Sequence, residues 1–241
     1  MIFIRSLLFS FFMILSTMLT AVSLVLLSPL PYRWVVVFSR LYPASIMLAL
    51  KYICGLHYEV IGRENIPAQT SIIFCKHQST WETLAIQVIF PPMAFVVKRE
   101  LLWVPFFGWG LAALRAIAIN RSAGRSAMKQ LVDKGIDRLK QGIWMAIFPE
   151  GTRVAAGSKG RYHIGGAILA AKSGYPVVPV AHNAGEFWPR GQFLKKPGTI
   201  KLVIGPQIPS NNRKPEDILA DAKNWIESTV AEISAGTAQK D

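Results

Sequence analysis

The chain has 241 residues, of which 51% are hydrophobic and only 17% are charged. This length is enough for one sizeable α/β domain with a short attached element, and the balance is unusually apolar for a soluble protein. Cys54 and Cys75 are too few for a disulfide framework and are expected to be buried free thiols. A metal site is not expected.

The formal net charge of +13 is concentrated in residues 76–201, which carry 18 basic and 6 acidic side chains. A field of this sign favours anionic lipid surfaces and phosphorylated substrates as partners. Nucleic acid is not expected as a partner, because the sequence contains no recognisable nucleic-acid-binding motif and no basic helix.

The N-terminal residues predict a membrane anchor. Residues 6–30 contain no charge and exceed the roughly 20 apolar residues that a helix needs to cross a bilayer. Pro29 and Pro31 interrupt this stretch, and a second helix is predicted over residues 34–56. We interpret residues 1–56 as two membrane-anchoring helices, and the sequence leaves open whether the first spans the bilayer or is embedded in it.

Residues 57–241 alternate short apolar runs with helical stretches. Strands are predicted at 57–61, 71–75, 93–97, 116–119, 143–148, 177–180 and 200–204. Helices are predicted at 80–89, 105–114, 123–141, 165–173 and 215–233. This alternation favours an α/β domain with a largely parallel mixed sheet covered by helices. Within it, the aromatic residues Trp103, Phe106, Phe107 and Trp109 are typical of a core, although they could also wall an acyl groove.

The first motif is Lys76-His-Gln-Ser-Thr-Trp-Glu-Thr83, in the turn between a buried strand and a helix. If His77 precedes the helix and folds back over its first turn, Glu82 can accept one imidazole N–H and leave the other nitrogen as a base. The same residues also form a capping box, with Ser79 as N-cap and Glu82 reaching back to its amide. His57, His163 and His182 have no motif support and are interpreted as structural.

The second motif, Phe148-Pro-Glu-Gly-Thr-Arg153, follows another buried strand. Gly151 permits a sharp turn, Arg153 offers a planar fork for a phosphate, and Thr152 adds a hydroxyl donor. A surface turn with an Arg–Glu pair is the alternative for this motif in isolation. Lys98 and Arg121 also follow strands and could line the same opening.

In this order, the two motifs resemble the 1-acylglycerol-3-phosphate acyltransferase family, whose members carry His-x4-Asp and later Glu-Gly-Thr-Arg. Residues 97–109 and Ile119-Asn-Arg121 are also similar to the family, and 177–180 match a weaker block. The resemblance spans about residues 57–205. The chain departs from the family pattern at Glu82, which replaces the aspartate, and at Tyr162-His-Ile-Gly165, where the family usually has Phe-Lys-x-Gly.

The resemblance implies transfer of a fatty acyl chain from acyl-CoA or acyl-carrier-protein to the sn-2 hydroxyl of 1-acyl-sn-glycerol 3-phosphate (lysophosphatidate), forming phosphatidate for phospholipid biosynthesis without a cofactor. His77 is implied as general base and Glu82 as the residue that orients it. The implied substrate-binding residues are Glu150, Gly151, Thr152, Arg153, Arg121 and Lys98.

Residues 1–56 are then expected to anchor an acyltransferase domain of residues 57–241 at the inner or plasma membrane, with the active site facing the cytoplasm. Two alternatives stand beside this expectation. One is acylation of another lysolipid, such as an ornithine lipid or a lysophospholipid. The other is a non-catalytic protein that binds anionic lipid.

Overall fold

The computed structural model describes residues 1–120 and 123–238. Its helices are α1 (Ile2–Leu26), α2 (Tyr32–Ser39), α3 (Leu41–Ala49), α4 (Trp81–Ile89), α5 (Phe107–Ala113), α6 (Arg125–Lys140), α7 (Gly165–Ser173), α8 (Ala184–Phe187) and α9 (Pro215–Ala238). Its strands are β1 (Leu56–Ile61), β2 (Ile72–Cys75), β3 (Met93–Lys98), β4 (Ile117–Ile119), β5 (Trp144–Ile147), β6 (Val177–His182) and β7 (Gly198–Ile204).

The strands form one seven-stranded sheet in the order β1-β7-β6-β2-β5-β3-β4. From β6 to β4 all neighbours are parallel, whereas β6 and β7 pair antiparallel and β1 lies parallel to β7. The central strands β2, β5 and β6 are buried at every residue, as expected for parallel strands covered on both faces. The predicted α/β fold with a largely parallel mixed sheet is confirmed.

Helices cover both faces of the sheet. One face is packed by α1, α3 and α4, and the other by α6, α7 and α9. Each of these helices contributes a buried apolar side chain to the core on its face of the sheet. In the order of the helices, these residues are Phe9, Ile46, Trp81, Val132, Leu169 and Ile226. Within β2, Ile73 belongs to the first core and Phe74 to the second, which is the alternation that a strand imposes.

The carboxyl ends of β6, β2, β5, β3 and β4 open at a single edge of the sheet, because these five strands are parallel. The loop after β2 carries the first motif, and the loop after β5 carries the second. Since β2 and β5 are hydrogen-bonded neighbours, the fold places the two motifs side by side. Open α/β sheets bind their ligands at this edge.

The first helix lies along the domain and does not project from it. Near its start, the Lys195 amide donates a hydrogen bond to the Ser6 hydroxyl at 2.9 Å. Phe9, one turn later, is buried. Near its end, the buried Leu24 packs against Gly110 of α5. Between these two attachments, α1 exposes a long row of apolar side chains, among them Phe11, Ile14 and Leu19.

The second apolar helix, predicted over residues 34–56, spans Tyr32–Cys54 and has a one-residue interruption at Arg40. Pro43 has no N–H to donate to the Ser39 carbonyl, and the chain breaks there into α2 and α3. A π-helical turn, Leu50–Cys54, follows, and Gly55 (φ 66°) turns the chain into β1. Both Ile2–Leu26 and Tyr32–Cys54 are long and apolar enough to cross a membrane, by length and composition.

The aromatic segment before β4 is not part of the core, so the expectation from composition was wrong. Trp103, Phe107 and Trp109 are 67%, 42% and 48% exposed. Phe106 has φ 63° and ψ −58°, and the Phe107 amide donates to the Pro105 carbonyl at 2.7 Å, which makes a γ-turn with a left-handed centre. Three of the four aromatic side chains of this segment therefore lie at the surface.

We expect Gly166→Ala to destabilise the domain. A Cβ at this position would lie 2.8 Å from the ring of the fully buried Phe74 and 3.2 Å from Ile147. Overpacking of this kind costs about 1–3 kcal/mol, which exceeds the roughly 0.5–1 kcal/mol that alanine gains over glycine in a helix. Denaturant titration in detergent measures the free energy of unfolding.

Gly110→Ala is the matched control. Its Cβ would meet only Leu24, at an ordinary contact distance of 3.8 Å. This variant should therefore be as stable as the parent or slightly more stable. Equal losses for both variants would contradict the close approach of α7 to β2.

Candidate active site

His77 and Glu82 meet at the start of α4. β2 ends at Cys75 and α4 begins at Trp81, so His77 lies in the turn between them. Its Nδ1 is 2.8 Å from Oε1 of Glu82. Within one continuous helix, residues five apart would point about 140° away from each other, and the turn is what lets the imidazole fold back. The structure brings together the two residues that the sequence paired.

The Glu82 carboxylate is fully buried and collects hydrogen bonds from the turn before it. The amides of Gln78 and Ser79 donate to Oε1 at 3.0 and 2.9 Å, the oxygen that also accepts from His77. The reach of Glu82 back to the Ser79 amide is the one predicted for a capping box. The Ser79 hydroxyl instead accepts from the Trp81 amide. One carboxylate therefore serves as helix cap and as partner of His77 at the same time.

Burial acts to raise the pKa of Glu82, but the neighbouring imidazoles of His182 and His77 and the Ser79 amide outweigh it and hold the pKa below its ordinary value. An ionised carboxylate only accepts, so in the neutral imidazole of His77 the proton is on Nδ1. Nε2 is then the basic nitrogen. The ring stacks on Phe148 with centroids 4.1 Å apart, and its side chain is 15% exposed. His77 is thus oriented with its basic nitrogen available to a ligand.

His182, at the end of β6, contacts the backbone next to His77. Its Nε2 donates to the Lys76 carbonyl at 2.8 Å, and its Nδ1 accepts from the Ala184 amide at 3.2 Å. Burial lowers the pKa of His182, although the Glu82 charge opposes this. Through these two bonds the ring fixes the backbone immediately before His77. No sequence motif marks this residue; only its place at the end of a neighbouring strand does.

The second motif forms a tight turn against the first. Gly151 has φ 67°, a left-handed conformation that favours glycine, and its amide donates to the Phe148 carbonyl at 2.9 Å. The Val154 amide donates to the His77 carbonyl at 2.8 Å, which joins the two motif loops through their backbones. Arg153 Nη1 donates to the Thr80 hydroxyl at 2.9 Å. The guanidinium is thereby held beside the turn that carries His77.

A buried ionic network lies beneath this turn, and sequence reasoning missed it. The ammonium group of Lys76 is fully buried, 3.2 Å from Glu150 Oε1 and 2.7 Å from Glu227 Oε1. The Tyr162 hydroxyl donates to the same oxygen of Glu227 at 2.9 Å. Glu227 belongs to α9, so the last helix is connected to both motifs. Tyr162 is one of the residues at which the chain departs from the family pattern.

Glu150 was predicted among the substrate-binding residues, but its side chain is fully buried and faces Lys76. Burial raises the pKa of Glu150, with the Lys76 charge acting in the opposite direction. The His77 amide lies 3.5 Å from its Oε1, at the limit of a hydrogen bond. The buried Glu150 carboxylate thus lies between the two motif loops, against Lys76 of the first.

Of the remaining predicted residues, Lys98 and Thr152 lie at the same edge of the sheet. Lys98 ends β3, with an exposed side chain 3.6 Å from Glu100. Thr152 is exposed in its turn. Arg121 lies outside the described residues. Cys75 is buried, and burial raises the pKa of its thiol well above the ordinary value, so the thiol stays protonated. Within residues 1–120 and 123–238, no three His, Cys, Asp or Glu side chains are grouped to hold a metal ion.

Comparison with known proteins assigns the family. A family model described as Acyltransferase matches residues 57–183. The 1-acyl-sn-glycerol-3-phosphate acyltransferase of Pseudomonas aeruginosa is 49% identical over 187 residues, which are 76% of this chain and 73% of that protein. The chain belongs to the acyltransferase family. The resemblance seen in the motifs is confirmed.

More distant acyltransferases agree in sequence and in fold. The bovine 1-acyl-sn-glycerol-3-phosphate acyltransferase alpha is 28% identical over 72% of this chain and 62% of its own length, so the match spans about three-fifths of that relative. The crystal structure of the 1-acyl-sn-glycerophosphate acyltransferase from Thermotoga maritima superposes with a TM-score of 0.80 at 24% identity. That likeness covers 96% of this chain and 95% of the other, so the two chains share the same overall fold.

We expect Glu82→Gln to lose most of the acyltransferase activity. Glutamine can still accept from the Ser79 amide, but it carries no charge to stabilise a protonated His77 and can present an N–H to the ring. For the corresponding aspartate of serine proteases, replacement by asparagine lowers turnover about 10⁴-fold. Turnover measured beside thermal stability checks this: full activity in a less stable variant would leave Glu82 with the capping role alone.

The same variant should reveal a pH-dependent contribution to stability. Because the pKa of Glu82 is lowered below its ordinary value of 4.5 on folding, the carboxylate stabilises the protein above that value. This contribution is lost as the pH falls through the lower, folded pKa. The stability difference between the parent and Glu82→Gln should therefore narrow below about pH 4.5. A constant difference from pH 7 to pH 3 would contradict it.

Lys76→Met should destabilise this acyltransferase strongly, because it leaves Glu150 and Glu227 without their cation. Breaking a buried ion pair by removing one partner costs about 3–5 kcal/mol. Lys98→Met is the control, since its exposed pair with Glu100 should be worth less than about 1 kcal/mol. Adding Glu150→Gln to Lys76→Met should restore part of the loss. Unfolding free energies that are equal for Lys76→Met and Lys98→Met would refute the network.

Proposed function

We propose that this acyltransferase transfers a fatty acyl chain from acyl-CoA or acyl-carrier-protein to the sn-2 hydroxyl of 1-acyl-sn-glycerol 3-phosphate, forming phosphatidate. The observation that carries the proposal is the 2.8 Å bond from the Val154 amide to the His77 carbonyl, which joins an oriented base to a cationic turn. The names of its relatives support the choice of acceptor.

The chemistry follows from the orientation of His77. Its Nε2 removes the proton of the sn-2 hydroxyl while the hydroxyl oxygen attacks the thioester carbonyl. The C–S bond then breaks, and the thiolate leaves with the proton from the imidazolium. Glu82 stabilises that imidazolium through the 2.8 Å bond to Nδ1. General base catalysis of this kind contributes about 10²–10⁴-fold to the rate.

The acceptor phosphate is assigned to the turn after β5. Arg153 supplies a guanidinium and Thr152 an exposed hydroxyl, while Gly151 allows the backbone to turn closely beside the ligand. Glu150 positions this turn through its buried ion pair with Lys76. Lys98, which ends β3, is proposed as a further cation at the same edge, and Arg121, outside the described residues, is proposed as another ligand of the phosphate. The Lys98–Glu100 pair is exposed, and such pairs hold their partners weakly.

Residues 1–56 are proposed as the membrane-anchoring element of an acyltransferase domain formed by residues 57–241. Because α1 is attached to the domain near both its ends, through Ser6 and Leu24, we place it within one leaflet and not across the bilayer. Its exposed apolar row would then face the lipid. The active site would lie at the cytoplasmic face of the inner or plasma membrane, where thioester donors are made.

An acylation assay with purified protein in detergent tests the function. The parent should convert 1-acyl-sn-glycerol 3-phosphate to phosphatidate with at least one donor, acyl-CoA or acyl-carrier-protein. His77→Ala should lower turnover by about 10²–10⁴-fold. His57→Ala, which removes an exposed imidazole from β1, should leave turnover unchanged. Near-normal turnover in His77→Ala would exclude the base and favour a protein that only binds anionic lipid.

A further inference from the structure

The loop after β6 reaches both motif loops. β6 is the parallel neighbour of β2, so the segment that follows His182 leaves the sheet beside the His77 turn. It passes through α8 and then runs through Trp188 and Pro189 to Arg190. The mechanism above assigns no role to this segment, which lies beyond the 57–183 match to the family model.

Hydrogen bonds fix this loop to the site at two points. The Ser79 hydroxyl donates to the Trp188 carbonyl at 2.5 Å. Two residues later, Nη1 of Arg190 donates to the Arg153 carbonyl at 3.1 Å and to the Thr152 hydroxyl at 3.3 Å. Trp188 is buried and packs edge-on against Phe9 of α1. The backbone that presents Arg190 is therefore held in place on two sides.

The geometry of these bonds leaves one side of the Arg190 guanidinium free. The two hydrogens of Nη1 are directed to Thr152 and Arg153, whereas Nε and Nη2 make no hydrogen bond to any described residue. These two nitrogens form a planar fork with parallel N–H groups, the arrangement that binds a phosphate through two bonds. Arg190 is an exposed residue.

The positive charge at the turn after β5 is not neutralised by a nearby carboxylate among the described residues. Arg138 and Arg213 have aspartate partners at 2.6 and 2.7 Å. Within the described part of the chain, no carboxylate lies within 4.0 Å of the guanidinium groups of Arg153 or Arg190. Two unneutralised guanidinium groups beside one turn repel each other, and a bound dianion would remove that repulsion.

We propose that Arg190 is a second ligand of the acceptor's phosphate, which it binds through Nε and Nη2. This assignment rests on the function proposed above. Acyl-CoA also carries phosphate groups, but the bonds of Arg190 are made to Thr152 and Arg153, the turn assigned to the acceptor. Arg190 therefore determines affinity for the acceptor and not for the donor.

The test is steady-state kinetics of the full-length protein in mixed micelles, with the acceptor and the donor varied separately. Arg190→Ala should raise KM for 1-acyl-sn-glycerol 3-phosphate about 10- to 100-fold. KM for the donor should change less than about twofold. Arg190→Lys should recover only part of the loss, because a point charge cannot form two parallel bonds.

Two further measurements separate ligand binding from support of the turn. Inhibition by sn-glycerol 3-phosphate, the soluble head group, should weaken in parallel with KM in Arg190→Ala, while the melting temperature stays constant. Lys196→Ala removes one exposed positive charge from the same loop without touching Thr152 or Arg153, and should leave acceptor KM unchanged.

Each contrary result has a defined meaning. If Arg190→Ala raises donor and acceptor KM equally, or lowers kcat and melting temperature without a change in acceptor KM, the residue only supports the turn and the proposal is wrong. If Lys196→Ala matches Arg190→Ala, the effect is general electrostatic attraction and the proposal is also wrong. A parent protein that does not acylate this acceptor overturns the proposed function, and this assignment with it.

Discussion

The structure at the carboxyl end of β2 depends on one buried charged group, the Glu82 carboxylate. The Glu82 carboxylate has no contact with solvent, and burial of an ionised group is costly unless it is hydrogen-bonded. Its donors are the His77 ring and the amides of Gln78 and Ser79. The first turn of α4 and the orientation of the His77 ring therefore depend on the same oxygen atoms. A shift of α4 would therefore also move the His77 imidazole, so the position of this ring depends on the position of the helix.

The parts of the site that sequence could predict are those encoded locally. His77 and Glu82 are five residues apart, and the strand-to-helix turn between them follows from an apolar run before and a periodic pattern after. The alternation of strands and helices also places the two motifs at one sheet edge. What could not be predicted depends on contacts across 100 residues or more. Glu227 meets Lys76 over a separation of 151 residues, and nothing periodic marks either one.

The aromatic segment was misjudged, and the interruption within the second helix was not predicted, for different physical reasons. Trp103 and Trp109 are apolar enough for a core, but α1 exposes apolar surface beside them, and composition alone does not distinguish a side chain facing lipid from one facing the interior. The break before α3 follows from Pro43, whose missing N–H interrupts a helix that its apolar neighbours would otherwise continue. In both places the immediate neighbours decide the structure, and average hydrophobicity does not.

The proposed placement of α1 within one leaflet has a kinetic consequence. An enzyme embedded in one leaflet meets a lipid acceptor by lateral diffusion in a plane, so the relevant concentration is a mole fraction among lipids and not a molarity in water. Diluting the acceptor with inert lipid should slow such an enzyme even when the total amount of acceptor per volume stays fixed. The water-soluble donor obeys ordinary bulk concentration. Under this placement, the acceptor reaches the active site by diffusion in two dimensions, and the donor reaches it by diffusion in three.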